Sequence, residues 1–288
     1  RRGGVGKAGA SVKEEDLIQN LYVLSSHSQL LCFTTKGKVF WLKVYEVPVA
    51  TRTSKGRPLV NMLKLDDDET VTQILPVEEF SEDKFVFMAT RNGIVKKTNL
   101  NLFHKKYKSG IKAIRLDDDD KLVGTVITGG DDDVLLSSSS GKLIRFNESK
   151  VRPMGRTARG VKGVSLKNDM KVISLMIGDP TKTILCLSEN GYGKRTKLED
   201  FPSYNRGGQG VIALKTSERN GNMVSAVAVD EDDGIMLISN KGTLIRTAIS
   251  QIPTLGRNTQ GVKVITPKDG EKLIEGVRIP PEEEAEEE

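Results

Sequence analysis

The sequence has few cysteines, histidines and aromatic residues, and each scarcity excludes a class of protein. It contains two cysteines and two histidines in 288 residues, and aromatic residues make up 5% of the chain. Two cysteines cannot supply the disulfide framework of a small secreted domain, so the composition indicates a reducing cytoplasm. No apolar run approaches the roughly 18 residues of a membrane helix, and no leader-like segment opens the chain. Because the chain begins at Arg1 rather than at methionine, we expect a piece of a longer protein.

The same scarcity leaves no candidate catalytic, metal or cofactor site. His27 and His104 lack cysteine or carboxylate partners at metal-ligand spacing, so we interpret both as surface residues. The GGVGK segment is not a phosphate-binding loop, because Arg1 and Ala8 stand where that motif needs Gly and Ser or Thr. No Gly-x-Ser-x-Gly element is present, and the Asp-rich turns do not follow the calcium-loop pattern.

What the sequence has instead is a repeat of about 50 residues. An apolar strand, a glycine turn and a second strand with basic residues recur five times. A second glycine follows 17–19 residues after each turn glycine, and a third apolar segment begins directly after it. A fourth strand then comes after a polar turn. The turn glycines are Gly37, Gly93, Gly141, Gly191 and Gly242, and the second glycines are Gly56, Gly110, Gly160, Gly210 and Gly261. Gly6 has the spacing of one more second glycine, which gives five full repeats and half of a sixth.

Each repeat predicts four short strands. Val, Ile, Leu, Phe and Thr favour strands, and the Asn-Gly turns supply the positive φ of tight hairpins. Four-stranded units in six copies are typical of a propeller-like array, and a closed ring leaves no long free sheet edge. We therefore predict an all-β, six-bladed, propeller-like ring over residues 1–281, followed by a disordered acidic tail at 282–288. Cys32 and Cys186 fall at the apolar position held elsewhere by Met88 or Leu136, so we expect both to be core residues.

The net charge of +5 conceals a separation of charge along the repeat. The segment before each second glycine is basic in every copy: residues 1–7, 48–57, 104–112, 150–162, 201–210 and 251–261. These segments hold 17 Lys or Arg and no Asp or Glu, whereas acids gather in turns such as 66–69, 117–120, 131–133 and 230–233. Because a repeat places equivalent segments on one side, we predict that basic loops line one rim and acidic turns another.

A track of positive charge predicts double-stranded DNA as the partner, since neutralising phosphates releases counterions. Few aromatic residues interleave the basic ones, which argues against single-strand stacking, and no helix-turn-helix or zinc spacing offers base recognition. We expect backbone contacts with little sequence preference, and we expect glycines such as Gly207 and Gly208 to let backbone amides approach phosphates. The predicted DNA-binding residues are Arg1, Arg2, Gly3, Gly4, Gly6, Lys7, Arg52, Lys55, Arg57, Lys105, Lys106, Lys108, Arg152, Arg156, Arg159, Lys162, Arg206 and Arg257.

Residues 1–7 resemble the basic, glycine-rich box of bacterial DNA gyrase A proteins, which are components of type IIA topoisomerases. Arg1, Arg2, Gly3, Gly4 and Gly6 match the box, and Val5 replaces its usual basic residue. The likeness continues through KEEDLI and the recurring GVKGV element into all the repeats. The resemblance implies a six-bladed β-pinwheel that wraps DNA around its basic perimeter with positive handedness and so permits negative supercoiling by the whole enzyme.

The resemblance also implies partners and a location. They are the gyrase A N-terminal core and the gyrase B protein in an A2B2 assembly, in the bacterial cytoplasm at the nucleoid. ATP and magnesium would act elsewhere in that assembly, with no cofactor and no catalytic residue in this chain. Two alternatives remain: the C-terminal DNA-binding domain of a topoisomerase IV, whose relatives lack the intact box, and a protein-interaction propeller with an apolar patch on one face. A propeller enzyme would need polar groups in a central channel, and the sequence offers no candidates.

Overall fold

The repeated apolar segments form antiparallel hairpins at the predicted glycine turns. The computed structural model describes residues 28–46 and 62–281. Each of the five turn glycines has a positive φ, between 76° at Gly37 and 93° at Gly93, which residues with a Cβ rarely adopt. Strands and short 3-10 turns are the regular elements of this part of the chain, which confirms the all-β prediction. None of the helical turns in the described ranges is long and apolar enough to cross a membrane.

The strands follow the repeats in order. The first two repeats contain β1 (Gln29–Thr34), β2 (Lys38–Lys43), β3 (Val71–Val77), β4 (Phe85–Thr90), β5 (Ile94–Asn99), β6 (Ile111–Lys112) and β7 (Leu122–Thr128). The third and fourth contain β8 (Asp133–Ser138), β9 (Lys142–Asn147), β10 (Val161–Lys162), β11 (Val172–Ile177), β12 (Thr183–Ser188), β13 (Tyr192–Lys197), β14 (Val211–Ile212) and β15 (Met223–Val229). The fifth contains β16 (Gly234–Ser239), β17 (Leu244–Ala248), β18 (Val262–Lys263) and β19 (Leu273–Ile279). A 3-10 turn follows each hairpin, at Val44–Glu46, Leu100–Phe103, Glu148–Lys150, Leu198–Asp200 and Ile249–Gln251.

Each four-stranded sheet is completed by a strand from the next repeat. The first sheet has the order β3-β1-β2-β6, in which β6 belongs to the second repeat. The next three sheets repeat this pattern as β7-β4-β5-β10, β11-β8-β9-β14 and β15-β12-β13-β18. The fifth has the order β17-β16-β19, so β17 is an edge strand among the described residues, and Ile245 on it is 40% exposed. The repeat pattern alone did not reveal this exchange of strands.

The described residues form five sheets, so the prediction of six blades is wrong for this part of the chain. The sixth copy was predicted from the second half of a repeat, in which Gly6 has the spacing of a second glycine. That half repeat lies in residues 1–27, outside the described residues, as does the predicted acidic tail at 282–288.

The apolar core lies between neighbouring sheets. One buried cluster joins Leu31 and Val39 of the first sheet to Met88 and Leu122 of the second, and similar clusters follow between later sheets. The first strand of each hairpin is buried on both faces, which explains its continuous apolar run. The strands β3, β7, β11, β15 and β19 contact one another in chain order, which gives the propeller-like arrangement.

The turn glycines also form contacts between repeats. The carbonyl of Gly141 accepts hydrogen bonds from Ala213 N–H (2.8 Å) and Leu214 N–H (3.0 Å) of the next repeat. A Cβ added to Gly141 would overlap the carbonyl oxygen of Leu214. The carbonyls of Gly37, Gly93 and Gly191 accept equivalent pairs of bonds. The turn glycine is therefore required both by its own φ and by the close approach of the next repeat.

Replacing Gly141 by alanine should destabilise the fold by about 2–5 kcal/mol, because a positive φ and an overlap with backbone would add their costs. Chemical denaturation followed by circular dichroism measures the change. Gly155→Ala is the matched control, since no heavy atom lies within 4 Å of an added Cβ there. Equal stability of the two variants would show that the contact between repeats contributes little to the free energy of unfolding.

Both cysteines should be unreactive in the folded chain. Cys32 and Cys186 are 0% exposed, as the repeat predicted, and burial raises the pKa of each thiol to about 12. Since the thiolate is the reactive form, a disulfide reagent at about pH 8 should modify neither thiol until the protein is unfolded. After denaturation both should react, and reaction of either one in the native chain would contradict the buried assignment.

Candidate nucleic-acid interface

Four of the predicted basic segments lie in the described residues, and each is attached to the hairpin of the preceding repeat. We name them loop 2 (104–112), loop 3 (150–162), loop 4 (201–210) and loop 5 (251–261). In loop 3, Met154 N–H donates to the carbonyl of Lys97 across 2.7 Å, and β10 at the end of the loop pairs with β5. Tyr204 and Leu255 attach loops 4 and 5 to β9 and β13 in the same way.

The second glycines of loops 3, 4 and 5 lie against the backbone of the preceding repeat, and that of loop 2, Gly110, lies against the ring of Phe40. Gly160 has a φ of 99°, and an added Cβ would overlap the carbonyl oxygen of Val95. Gly210 and Gly261 approach the carbonyls of Leu143 and Gly193 in the same manner. Packing between repeats is therefore the physical reason for these glycines.

A hydrogen-bond donor four residues after the turn glycine fixes the start of each loop. The residue type varies, but every donor reaches a carbonyl at or just after the 3-10 turn that precedes the loop. The pairs are Trp41 Nε1 with Phe103, Lys97 Nζ with Glu148, Arg145 Nη1 with Phe201, and Arg195 Nε with Ile252, at 2.7–3.1 Å. Composition and charge did not predict this role, although the fixed offset of the donor from the turn glycine is a signal that could have revealed it.

Six of the predicted DNA-binding side chains are exposed on the described loops. They are Lys105, Lys106, Lys108, Arg152, Lys162 and Arg206. Arg156, Arg159 and Arg257 are half-buried. The other predicted residues lie outside the described ranges, namely Arg1, Arg2, Gly3, Gly4, Gly6, Lys7, Arg52, Lys55 and Arg57, and remain predictions.

Basic side chains connect successive loops. The guanidinium of Arg156 in loop 3 lies 5.8 Å from the ring centroid of Tyr107 in loop 2. Arg206 in loop 4 donates to the carbonyls of Lys150 (3.1 Å) and Lys162 (3.0 Å) in loop 3. Arg257 in loop 5 donates to the carbonyl of Ile212, which follows loop 4. These contacts join the four loops into one continuous basic belt.

Arg159 is already paired within the chain. Its guanidinium donates two hydrogen bonds to the Asp117 carboxylate, at 2.7 and 2.8 Å, and this lowers the pKa of Asp117 below its usual value. The acidic turn at 117–120 is thus in contact with loop 3 rather than confined to a separate rim. Glu231 likewise pairs with Arg195, beside loop 5.

The amide of Gly207 is not available to a phosphate, contrary to the prediction from its position beside Arg206. Its φ is 89°, and its N–H donates to the carbonyl of Gly163 across 2.7 Å. The glycine therefore permits a contact between loop 4 and the preceding repeat. Across the described part of the chain, no group of three or more His, Cys, Asp and Glu residues is arranged to hold a metal ion.

Comparison with protein families gives a match along the repeats. The matching family is described as "DNA gyrase C-terminal domain, beta-propeller", and it covers residues 1–25, 28–78, 84–128, 132–179, 182–230 and 235–277. The DNA gyrase A protein of Salmonella typhimurium is 48% identical over 274 residues, which cover 95% of this chain and 31% of that protein. The chain thus spans about a third of the length of this relative.

Two solved structures share the fold. A gyrase A C-terminal domain aligns with a TM-score of 0.75 and 26% identity, over 89% of this chain and 84% of that one. The C-terminal domain of a DNA topoisomerase IV aligns with a TM-score of 0.81 and 26% identity, over 88% of this chain and 80% of that one. The fold is therefore common to both kinds of domain.

Proposed function

The chain belongs to the family of DNA gyrase C-terminal domains, and we propose that it is a non-catalytic domain that binds and bends double-stranded DNA. The observation that supports this function is the basic belt. Loops 2, 3 and 4 present exposed lysines and arginines, loop 5 presents the half-buried Arg257, and none of the four contains Asp or Glu. Since loops 3 and 4 contact the loop before them and loop 5 contacts the strand that follows loop 4, the positive charges follow a single path across successive sheets.

DNA that follows this path must bend, because the loops lie on sheets that are arranged around a propeller-like array. Bending a site of 20–30 base pairs costs on the order of 1–6 kcal/mol, so favourable contacts must recur along the path. The repeated structure supplies such contacts, because equivalent basic side chains recur at intervals of one sheet. Contacts to phosphates carry no sequence information, so sequence preference would arise from the deformability of the DNA.

We further propose that the bend is a chiral wrap of positive handedness. In a complete gyrase, such a wrap would present a second DNA segment to the catalytic core and permit ATP-dependent negative supercoiling. The partners would be the gyrase A N-terminal core and the gyrase B protein in an A2B2 assembly in the bacterial cytoplasm, at the nucleoid. The ATP and magnesium of that reaction would bind in those parts, with no cofactor in this domain.

A second candidate is a DNA-bending domain without chiral wrapping, as in a topoisomerase IV. The fold similarity to a topoisomerase IV domain, with a TM-score of 0.81, favours this alternative. The 48% identity to a gyrase A protein and the basic box at residues 1–7 favour gyrase. Handedness of the bound DNA distinguishes the two functions.

The distinguishing experiment is topoisomer analysis. Nicked circular plasmid is religated in the presence of increasing amounts of the 288-residue chain, at several salt concentrations. The distribution of linking numbers is then read from gels. We expect a positive shift that grows with protein and decreases with salt, because phosphate contacts weaken as salt rises. Binding without a shift would support the topoisomerase IV alternative. Absence of binding at low salt would leave a protein-interaction propeller.

Neutralising loop 2 tests the belt directly. Replacing Lys105, Lys106 and Lys108 together by glutamine should make the slope of log K against log salt less negative by about 2–3, since each lost phosphate contact removes about 0.9. The matched control replaces three exposed lysines outside the loops, Lys64, Lys121 and Lys167, by glutamine. Equal slopes for the two triple variants would show that net charge, rather than the belt, determines DNA affinity.

A further inference from the structure

Two lysines of the hairpins are completely buried beneath basic loops. Lys96 and Lys194 each follow three residues after a turn glycine and are 0% exposed. The equivalent residues of the first and third repeats are the apolar Phe40 and Ile144, which are also buried. An apolar side chain therefore suffices to fill this position, and the lysines need another explanation.

Both ammonium groups bind carbonyls of the loop above them. Lys96 Nζ donates to the carbonyl of Arg156 across 2.7 Å and to that of Ala113. Lys194 Nζ donates to the carbonyls of Gly256 (2.6 Å) and Arg257, and to Thr259 Oγ1 (2.8 Å). Among the described residues, no carboxylate forms an ion pair with either ammonium group. The carbonyl oxygens are thus the groups that stabilise the two buried charges.

Burial of these charges is costly, which makes their retention informative. Removing an ammonium group from water costs several kcal/mol, and burial lowers the pKa of Lys96 to about 7 and that of Lys194 to about 8. The hydrogen bonds to carbonyls favour the charged form and offset part of this cost. The same position in repeats one and three avoids the cost with an apolar residue.

A carbonyl that points inward fixes the direction of the neighbouring amide. In a trans peptide the C=O and N–H bonds point in opposite directions. The inward carbonyls of Arg156 and Arg257 therefore direct the amides of Thr157 and Asn258 outward, and both residues are exposed. Neither amide donates a hydrogen bond within the described residues.

Loop 4 provides the contrasting case within the same chain. Gly207 occupies the position of Thr157 and Asn258, three residues before the second glycine, and Ile144 lies beneath its loop. The Gly207 amide donates to Gly163 and is not available to a ligand. The two loops above a buried lysine thus present a free amide, and loop 4 above an isoleucine does not. Loop 2 lies above Phe40, and its second glycine comes two residues sooner after the turn glycine. It also leaves the equivalent Tyr107 amide without a backbone acceptor in the described part of the chain.

We propose that loops 3 and 5 each contain a phosphate-binding site, formed by the outward amide of Thr157 or Asn258 and the arginine before it, and that Lys96 and Lys194 are the positioning residues. Each buried lysine orients the peptide through its hydrogen bond to the inward carbonyl. The ligand is a phosphate group of double-stranded DNA, so the inference depends on the proposed function. It extends that function, because two residues that do not contact DNA would contribute to DNA affinity.

The first test follows backbone amides by NMR while a short DNA duplex is added to the 288-residue chain. We expect large shifts for the amides of Thr157 and Asn258, since a phosphate oxygen would accept their hydrogen bonds. The Gly207 amide is the internal control and should change little. Tight DNA binding that leaves Thr157 and Asn258 unchanged would overturn the phosphate sites but not the proposed function. Absence of any DNA binding would overturn both.

The second test replaces Lys96 or Lys194 by isoleucine, the residue that the third repeat has at this position. We expect each variant to keep the wild-type circular dichroism spectrum, to bind DNA about tenfold more weakly, and to show a salt slope less negative by about 1. The Thr157 amide should also lose its response to DNA in Lys96→Ile. Unchanged affinity in both variants would refute the positioning role. Should a variant fail to fold, the amide shifts of the wild-type chain still decide the question.

Discussion

The structure depends on close backbone contact between successive repeats. The carbonyl of each turn glycine from Gly37 to Gly191 accepts two amides of the next repeat, and second glycines such as Gly160 lie directly against the preceding hairpin. A side chain at either glycine would keep the two backbones apart. Because the contact sets the distance between repeats, it also places the fourth strand in its sheet and the basic loop on its hairpin. The core between the sheets and the basic belt are both consequences of this spacing.

The sequence predicted the period, the hairpins and the burial of Cys32 and Cys186, because each of these follows from local turn chemistry or apolar pattern. The family resemblance is confirmed as well. Exchange of strands was not predictable, since the segment after Gly110 has the same pattern whether it pairs within its repeat or with β2. The function of Lys96 was hidden for a related reason. A lysine in a strand looks the same in sequence whether its ammonium group faces solvent or a carbonyl.

The charged residues of the repeat therefore have two functions that composition cannot separate. Lys97, Arg145 and Arg195 use their donors to hold the starts of loops, and Arg159 is neutralised by Asp117. Lysines such as Lys105 and Lys108 remain exposed on the belt. Each of these four structural cations is paired with a carboxylate: Glu148, Asp133, Glu231 and Asp117. The positive field of the belt therefore comes mainly from its exposed lysines and arginines.

The exchange of strands also determines how the length of such an array can change. Each of the first four sheets presents the same edge to the repeat that follows it. Loss or duplication of one whole repeat would therefore join equivalent surfaces and leave these sheets complete. Loss of half a repeat would instead leave a hairpin without its outer strand and a loop without its hairpin. Inheritance by whole units would thus change the length of the path offered to a bound duplex in steps of one sheet.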